Sequence, residues 1–191
     1  PNLQGPIADY TMEELQRILS LLCPAPKTDI EIELSVCLAL NSDEISLNSH
    51  KNTVKIQGGS SHAVLHCIYI FLEKLGCVFE ISGELLPPAV SELEIPELSL
   101  RQTPGIAQRG IRMHLNFVQD QSFFSEEEFA AFIDNMARQR FNYLLFHMYT
   151  PQQWFPFSYR GVKHLDLQLG NLDRRHLAED MIGRDKVKVK D

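Results

Sequence analysis

Nowhere in the 191 residues does an apolar run reach the length of a membrane span. Positive charge is also scarce: 18 Lys and Arg stand against 25 Asp and Glu, for a net charge of -7. Nucleic acid and anionic membrane surfaces require clustered Lys and Arg, so neither is expected as a partner. The one basic cluster, Arg184 to Lys190, alternates Lys with Val at the end of the chain, where fraying explains it as well as binding does. Cysteine is sparse. Cys23, Cys37, Cys67 and Cys77 form no CxxC pair and have no zinc-type spacing with His, so buried free thiols are expected over disulfides. No Ser or Cys occupies a nucleophile elbow, and no cofactor or metal is expected. The start of the sequence shows no charged-then-apolar leader, so any export signal lies outside these residues or was never there.

The first half reads as alternating helices and strands. Thr11 as N-cap and Glu14 as its capping-box partner open a helix over residues 12–22, with Leu15, Ile18, Leu19 and Leu22 on one stripe. Pro24 and Pro26 end it. From Ile30 to Leu40 apolar residues recur at every second position, which predicts one long half-buried strand. Two shorter strands, 44–48 and 53–57, flank a hairpin turn. Gly58-Gly59-Ser60-Ser61 then leads into a helix over 62–75 with a wide apolar face and Gly76 as its stop. That glycine pair lacks the spacing and the Lys of a phosphate loop, and reads as a turn and cap. A short strand at 77–81 precedes an exit through Pro87, Pro88, Pro96 and Pro104, expected as a stiff linker. Residues 1–100 thus predict an α+β two-layer sandwich.

Residues 101–191 follow another pattern. Arg109 to Leu115 reads as a strand; Ser125 with Glu128 forms a capping box; Phe129, Phe132, Ile133 and Met136 share a helix face. Phe141 to Met148 is a nearly continuous apolar strand, as expected when both faces are covered. Strand, helix and strand at this spacing form a βαβ unit with parallel strands. An aromatic loop with Trp154, Phe155, Phe157 and Tyr159 follows, then a weak helix near Asp173. Two strands cannot close a barrel, so this half is expected to be an incomplete β/α (TIM-barrel-type) segment of a longer gene product. Its uncovered apolar surface is expected to promote self-association.

In β/α folds the functional face lies at the C-terminal ends of the strands. Here those ends bring His114, Asn116 and Asp120, then His147, Tyr149 and Trp154. An aromatic platform beside hydrogen-bonding groups suits a sugar ring. Arg109, His114, His147 and Trp154 are therefore the candidate substrate-binding residues. Each has a structural alternative: loop packing for Trp154, a satisfied core histidine for His114 and His147, and an ion pair for Arg109.

Two stretches carry a family resemblance. Val54 to Pro88, with its Gly-ended strand, a helix holding Tyr69 and Leu72-Glu73-Lys74-Leu75-Gly76, and its Pro-bounded exit, resembles the accessory domain of exo-acting glycoside hydrolases. The β-N-acetylhexosaminidases of family 20 and the α-glucuronidases carry that domain before a (β/α)8 barrel. Gln108-Arg109-Gly110-Ile111 and Asn135 to His147 resemble the opening Arg-Gly strand and the "Met-Ala-x-x-Lys-Phe-Asn-x-Leu-x-x-His" second strand of such barrels. The resemblance implies a periplasmic or extracellular hydrolase of terminal sugars on oligo- or polysaccharides, with Arg109 and His147 beside the sugar. The family follows its Arg-Gly strand with Asp and then Arg-His. Here His114 takes the Asp place and Phe117 that of the Arg, which points to a divergent relative with another terminal sugar or none. The family's Asp-Glu pair follows the fourth barrel strand, so no catalytic residue is assigned in this chain, and it is expected to be inactive alone. The competing reading is a non-catalytic carbohydrate-binding or scaffold module.

Overall fold

A computed structural model of the chain describes residues 3–114, 124–147, 157–159 and 162–164. Within these the protein is a mixed α+β fold with helices and a few small sheets. Two compact units are present, one of residues 1–109 with 132–142, the other of 110–131 with 143–191.

The first unit opens with α1, Pro6–Leu22, which starts earlier than its sequence suggests. Gly5 at φ 91° is the N-cap and Pro6 fills the first turn, where a missing N–H costs nothing. Thr11 lies inside the helix, donating its hydroxyl to the Ile7 carbonyl at 2.6 Å, so it forms no capping box with Glu14. Ile7 and Ala8 carry the apolar side of α1 back into its first turn.

Next come β1 (Glu31–Val36), β2 (Ile45–His50) and β3 (Thr53–Gly58). β1 pairs parallel with β3, and β2 antiparallel with it through a tight turn in which Lys51 takes φ 53°. The expected long strand stops at Val36 because its partner β3 ends at Gly58; the chain turns, and Leu38 is 79% exposed. Leu98–Gln102, expected as linker, is instead β6, antiparallel to the free edge of β2. The sheet order is β1-β3-β2-β6.

Ile45, Leu47, Val54 and Ile56 of one sheet face are buried beneath α2, Ser61–Lys74. Every residue from Ala63 to Leu72 is buried, as expected of a helix apolar all round. Ser60 caps it by accepting from the Ala63 amide at 3.2 Å. Gly76, at φ 95°, ends it, while the Cys77 amide reaches back to the Leu72 carbonyl. α1 packs on α2 through Leu15, Ile18 and Leu22. A small antiparallel pair, β4 (Val78–Glu80) and β5 (Gly83–Leu85), closes this layer. All four cysteines are free thiols, three of them buried and Cys37 partly exposed.

The second unit contains β7 (Gly110–His114) and β8 (Tyr143–His147), paired in parallel. The helix between them, α3 (Glu126–Arg138), begins in it and ends in the first unit. Ser125 and Glu128 form the expected reciprocal capping box, at 2.8 and 3.1 Å. Tyr143 and Leu145 are 42% and 39% exposed, so β8 is not covered on both faces as its apolar run implied. A short hairpin, β9 (Phe157–Tyr159) with β10 (Val162–His164), lies within the stretch expected to be loop. The helix expected near Asp173 lies outside the described residues.

Candidate functional site

The parallel pairing of β7 and β8 fixes which residues share a strand end. Its register runs from Gly110 opposite Tyr143 to His114 opposite His147. Two of the four candidate binding residues are therefore register partners at the C-terminal end of adjacent parallel strands. The Cα atoms of paired residues on neighbouring strands lie about 5 Å apart. Trp154, with Asn116, Asp120 and Tyr149, lies outside the described residues.

Arg109 is placed differently. It directly precedes β7, whereas the two histidines are the last residues of β7 and β8. Its guanidinium forms no ion pair among the described residues. Nε donates to the Arg140 carbonyl at 3.0 Å, and Nη1 to those of Ile106 and Ala107 at 2.6 and 3.4 Å. The main chain is tied down as well: the Arg109 amide donates to the Asn142 side chain at 2.9 Å, and the Asn142 amide to the Arg109 carbonyl at 2.8 Å. Gly110 follows because a Cβ there would collide with the Tyr143 carbonyl. The Arg-Gly pair thus has a local steric and hydrogen-bonding cause.

The same holds for the stretch from Asn135 to Asn142. Arg138 donates to Glu14 at 2.7 Å and to Asn135 at 2.8 Å; Asn135 reaches the Ile81 carbonyl and Gln139 the Phe79 carbonyl, each at 3.2 Å. Arg140, held at φ 63° as the left-handed residue that ends α3, pairs with Glu73 at 2.5 Å. These side chains lock the end of α3 to the rest of the first unit.

Glu14 is the centre of this lock and was missed as such, having been read as a capping residue. It is only 5% exposed and accepts from Arg17 at 2.8 Å as well as from Arg138. Burial by itself raises the Glu14 pKa, but the hydrogen bonds and positive charges of Arg17 and Arg138 prevail and hold it below the ordinary value. Arg17 continues the chain of charges to Glu84 at 2.6 Å. Buried Tyr69 points its hydroxyl at Glu14 and Tyr10, and burial above all raises its pKa.

A second arrangement on the first unit was not foreseen. A cleft of about 250 Å³ is lined by Asp43, His66, Gln102, Arg109, Gln139 and Arg140, among others. His66 is buried, and its pKa falls to about 4 through burial first and then through Arg109 and His62. The imidazole is neutral at pH 7. Sequence spacing offered no hint, since these residues converge from the turn before β2, from α2, from β6, from the residue before β7 and from the turn after α3.

Among the described residues no group of His, Cys, Asp and Glu side chains is arranged to hold a metal ion, and no helix is long and apolar enough to cross a membrane. No protein-family model matches the chain, and no curated protein matches it.

Proposed function

We propose that this chain is the N-terminal portion of a glycoside hydrolase acting on the terminal sugars of oligo- or polysaccharides. In this reading the first unit is the accessory layer. β7, α3 and β8 open a β/α barrel whose remaining strands supply the catalytic carboxylates. The observation that carries it is the parallel register placing His114 opposite His147 at the C-terminal strand ends. That is the face on which β/α barrels gather their substrates. The open flank of β8 at Tyr143 and Leu145 supports it further, since a barrel strand is normally covered on both faces. The same open flank is the reason to expect self-association of the isolated chain. A periplasmic or extracellular location belongs to the reading, because glycans for an exo-acting enzyme are met there.

Within it, His114 and His147 position sugar hydroxyls through their ring nitrogens, each of which donates or accepts according to tautomer. Trp154 provides a stacking face for the ring. Arg109 is a positioning residue that holds the start of β7 through Asn142 and the carbonyl of Arg140. The chain by itself turns over no glycoside.

The commitment of Asn135, Arg138, Gln139 and Arg140 to packing favours a second reading, a non-catalytic scaffold module. Titration calorimetry with methyl glycosides of common terminal sugars separates the two. Saturable binding of one sugar, absent for its glycan-capped form, is expected from the hydrolase reading. Absence of binding across the panel overturns it in favour of the scaffold.

A further inference from the structure

The four-stranded sheet of the first unit ends at β1, which has a partner, β3, on one side only. The Glu31 amide donates to the Asn52 carbonyl and the Cys37 amide to that of Gly58. In a parallel ladder alternate residues face the partner, so Glu31, Glu33 and Ser35 turn their peptide groups toward β3. The amides and carbonyls of Ile32, Leu34 and Val36 therefore point away from it, along an edge that no described strand pairs. Unpaired peptide groups in a row form a template for another strand. Neither a proline, nor a bulge, nor an inward-pointing charge interrupts residues 31–36 to blunt it.

The side chains say which strand fits. Ile32, Leu34 and Val36 continue the core face of the sheet, yet they are only half-buried. Val54 and Ile56, the register partners of Ile32 and Leu34, are fully buried. A further strand would cover the apolar row left open at the edge. On the opposite face Glu31 and Glu33 are exposed, and Asp29 continues the acidic alternation. β3 shows what such a row takes as a neighbour: Lys55, between Val54 and Ile56, stands opposite Glu33 in register and reaches it at 3.5 Å. A second β1 is a poor match, because antiparallel pairing centred on Glu33 sets the two Glu33 carboxylates against each other.

We propose that the outer edge of β1 binds an extended peptide segment in which Lys or Arg alternates with β-branched apolar residues, added beside β1 as a further strand of the sheet. Its main chain pairs with the peptide groups of Ile32, Leu34 and Val36. Its apolar side chains lie beside theirs, and its cations meet Glu31 and Glu33. The site stands independently of the proposed sugar chemistry.

The test is an NMR titration of the full chain with the end-capped peptide Lys-Val-Lys-Val-Lys-Val-Lys. The Ile32, Leu34 and Val36 amides are expected to exchange fast in the free chain and to become protected along one saturation curve. Altered peptides separate strand pairing from bulk charge. A peptide of the same composition, with its Lys and Val in separate blocks, is expected to bind at least about tenfold more weakly. N-methylation of one set, the Val or the Lys amides, is expected to abolish binding while the other set is tolerated, and the sensitive set reports the strand direction. Glu31→Gln with Glu33→Gln, both at exposed positions, is expected to weaken binding about fivefold, the worth of two cross-strand charge pairs. Edge amides already protected in the free chain mean that another segment holds the edge, a second copy's β1 or the Lys-Val repeat of residues 186–190, and overturn the proposal. Absence of saturable protection overturns it too, as does equal affinity for the block peptide, for both methylated peptides or in the double variant.

Discussion

Glu14 on α1 and Arg138 in the last turn of α3 meet at 2.7 Å although 124 residues separate them. The carboxylate also takes two hydrogen bonds from Arg17, at 2.8 and 3.1 Å. Removing it leaves the Arg17 and Arg138 guanidinium groups with Glu84 alone as a shared carboxylate among the described residues, at 2.6 and 3.5 Å. Glu14→Ala is therefore expected to cost about 3 kcal/mol, the low end of the range for breaking a buried pair from one side, because Glu84 still faces both cations. Urea unfolding checks this. A midpoint within error of the wild type contradicts the central place given to Glu14.

Protonation destabilises the protein in two pH windows. His66 has a folded pKa of about 4, below the unfolded value of about 6.5, so the unfolded chain binds its proton first. Stability is complete above about pH 6.5 and falls by up to about 3 kcal/mol as pH drops toward 4. Glu14, depressed by its guanidinium partners against the effect of burial, adds stability that is present above about pH 4.3 and lost below it. His66→Gln is expected to flatten the upper window and leave the lower one. Urea midpoints measured from pH 7 to pH 3 report both.

Thiol reactivity follows burial. Burial pushes the Cys67 thiol up to about 12, and Cys77, buried and near Glu84 and Glu73, up to about 11. Cys23 is buried as well, leaving Cys37 as the accessible group. With a chromogenic disulfide reagent at pH 8, one fast thiol is expected in the native protein and four after unfolding. Two thiols missing after unfolding without reductant would reveal a disulfide instead.

Gly110 tests the strand pair. An added Cβ meets the carbonyl of Tyr143, its register partner. Gly110→Ala is expected to cost about 1–3 kcal/mol and to reduce amide-exchange protection along residues 110–114 and 143–147. Unchanged protection contradicts the close approach of β7 and β8.

Local patterns carried much of the fold. The period-two stretches, the capping box at Ser125 and Glu128, and the Gly76 stop were legible because each is written in adjacent residues. Leu98 and Leu100, alternating with Ser99 and Arg101, carried a strand signal that the flanking prolines obscured. What stayed hidden was long-range. Glu14 looked like a capping partner three residues from Thr11, and only the folded chain brings Arg138 to it. The cleft residues come from five separate segments of the chain, and spacing says nothing about such convergence. At the strand ends, sequence offered His114 and His147 as separate candidates, and the parallel register makes them a pair.

That pair is where the sugar reading is most exposed. The most direct measurement follows the ring resonances of His114 and His147 during titration with the sugar bound most tightly in the calorimetric panel. Both rings are expected to shift along one saturation curve, and His114→Ala or His147→Ala is expected to weaken binding at least about tenfold. Sugar binding that leaves both rings unmoved, or survives both substitutions, contradicts a terminal-sugar site at these strand ends.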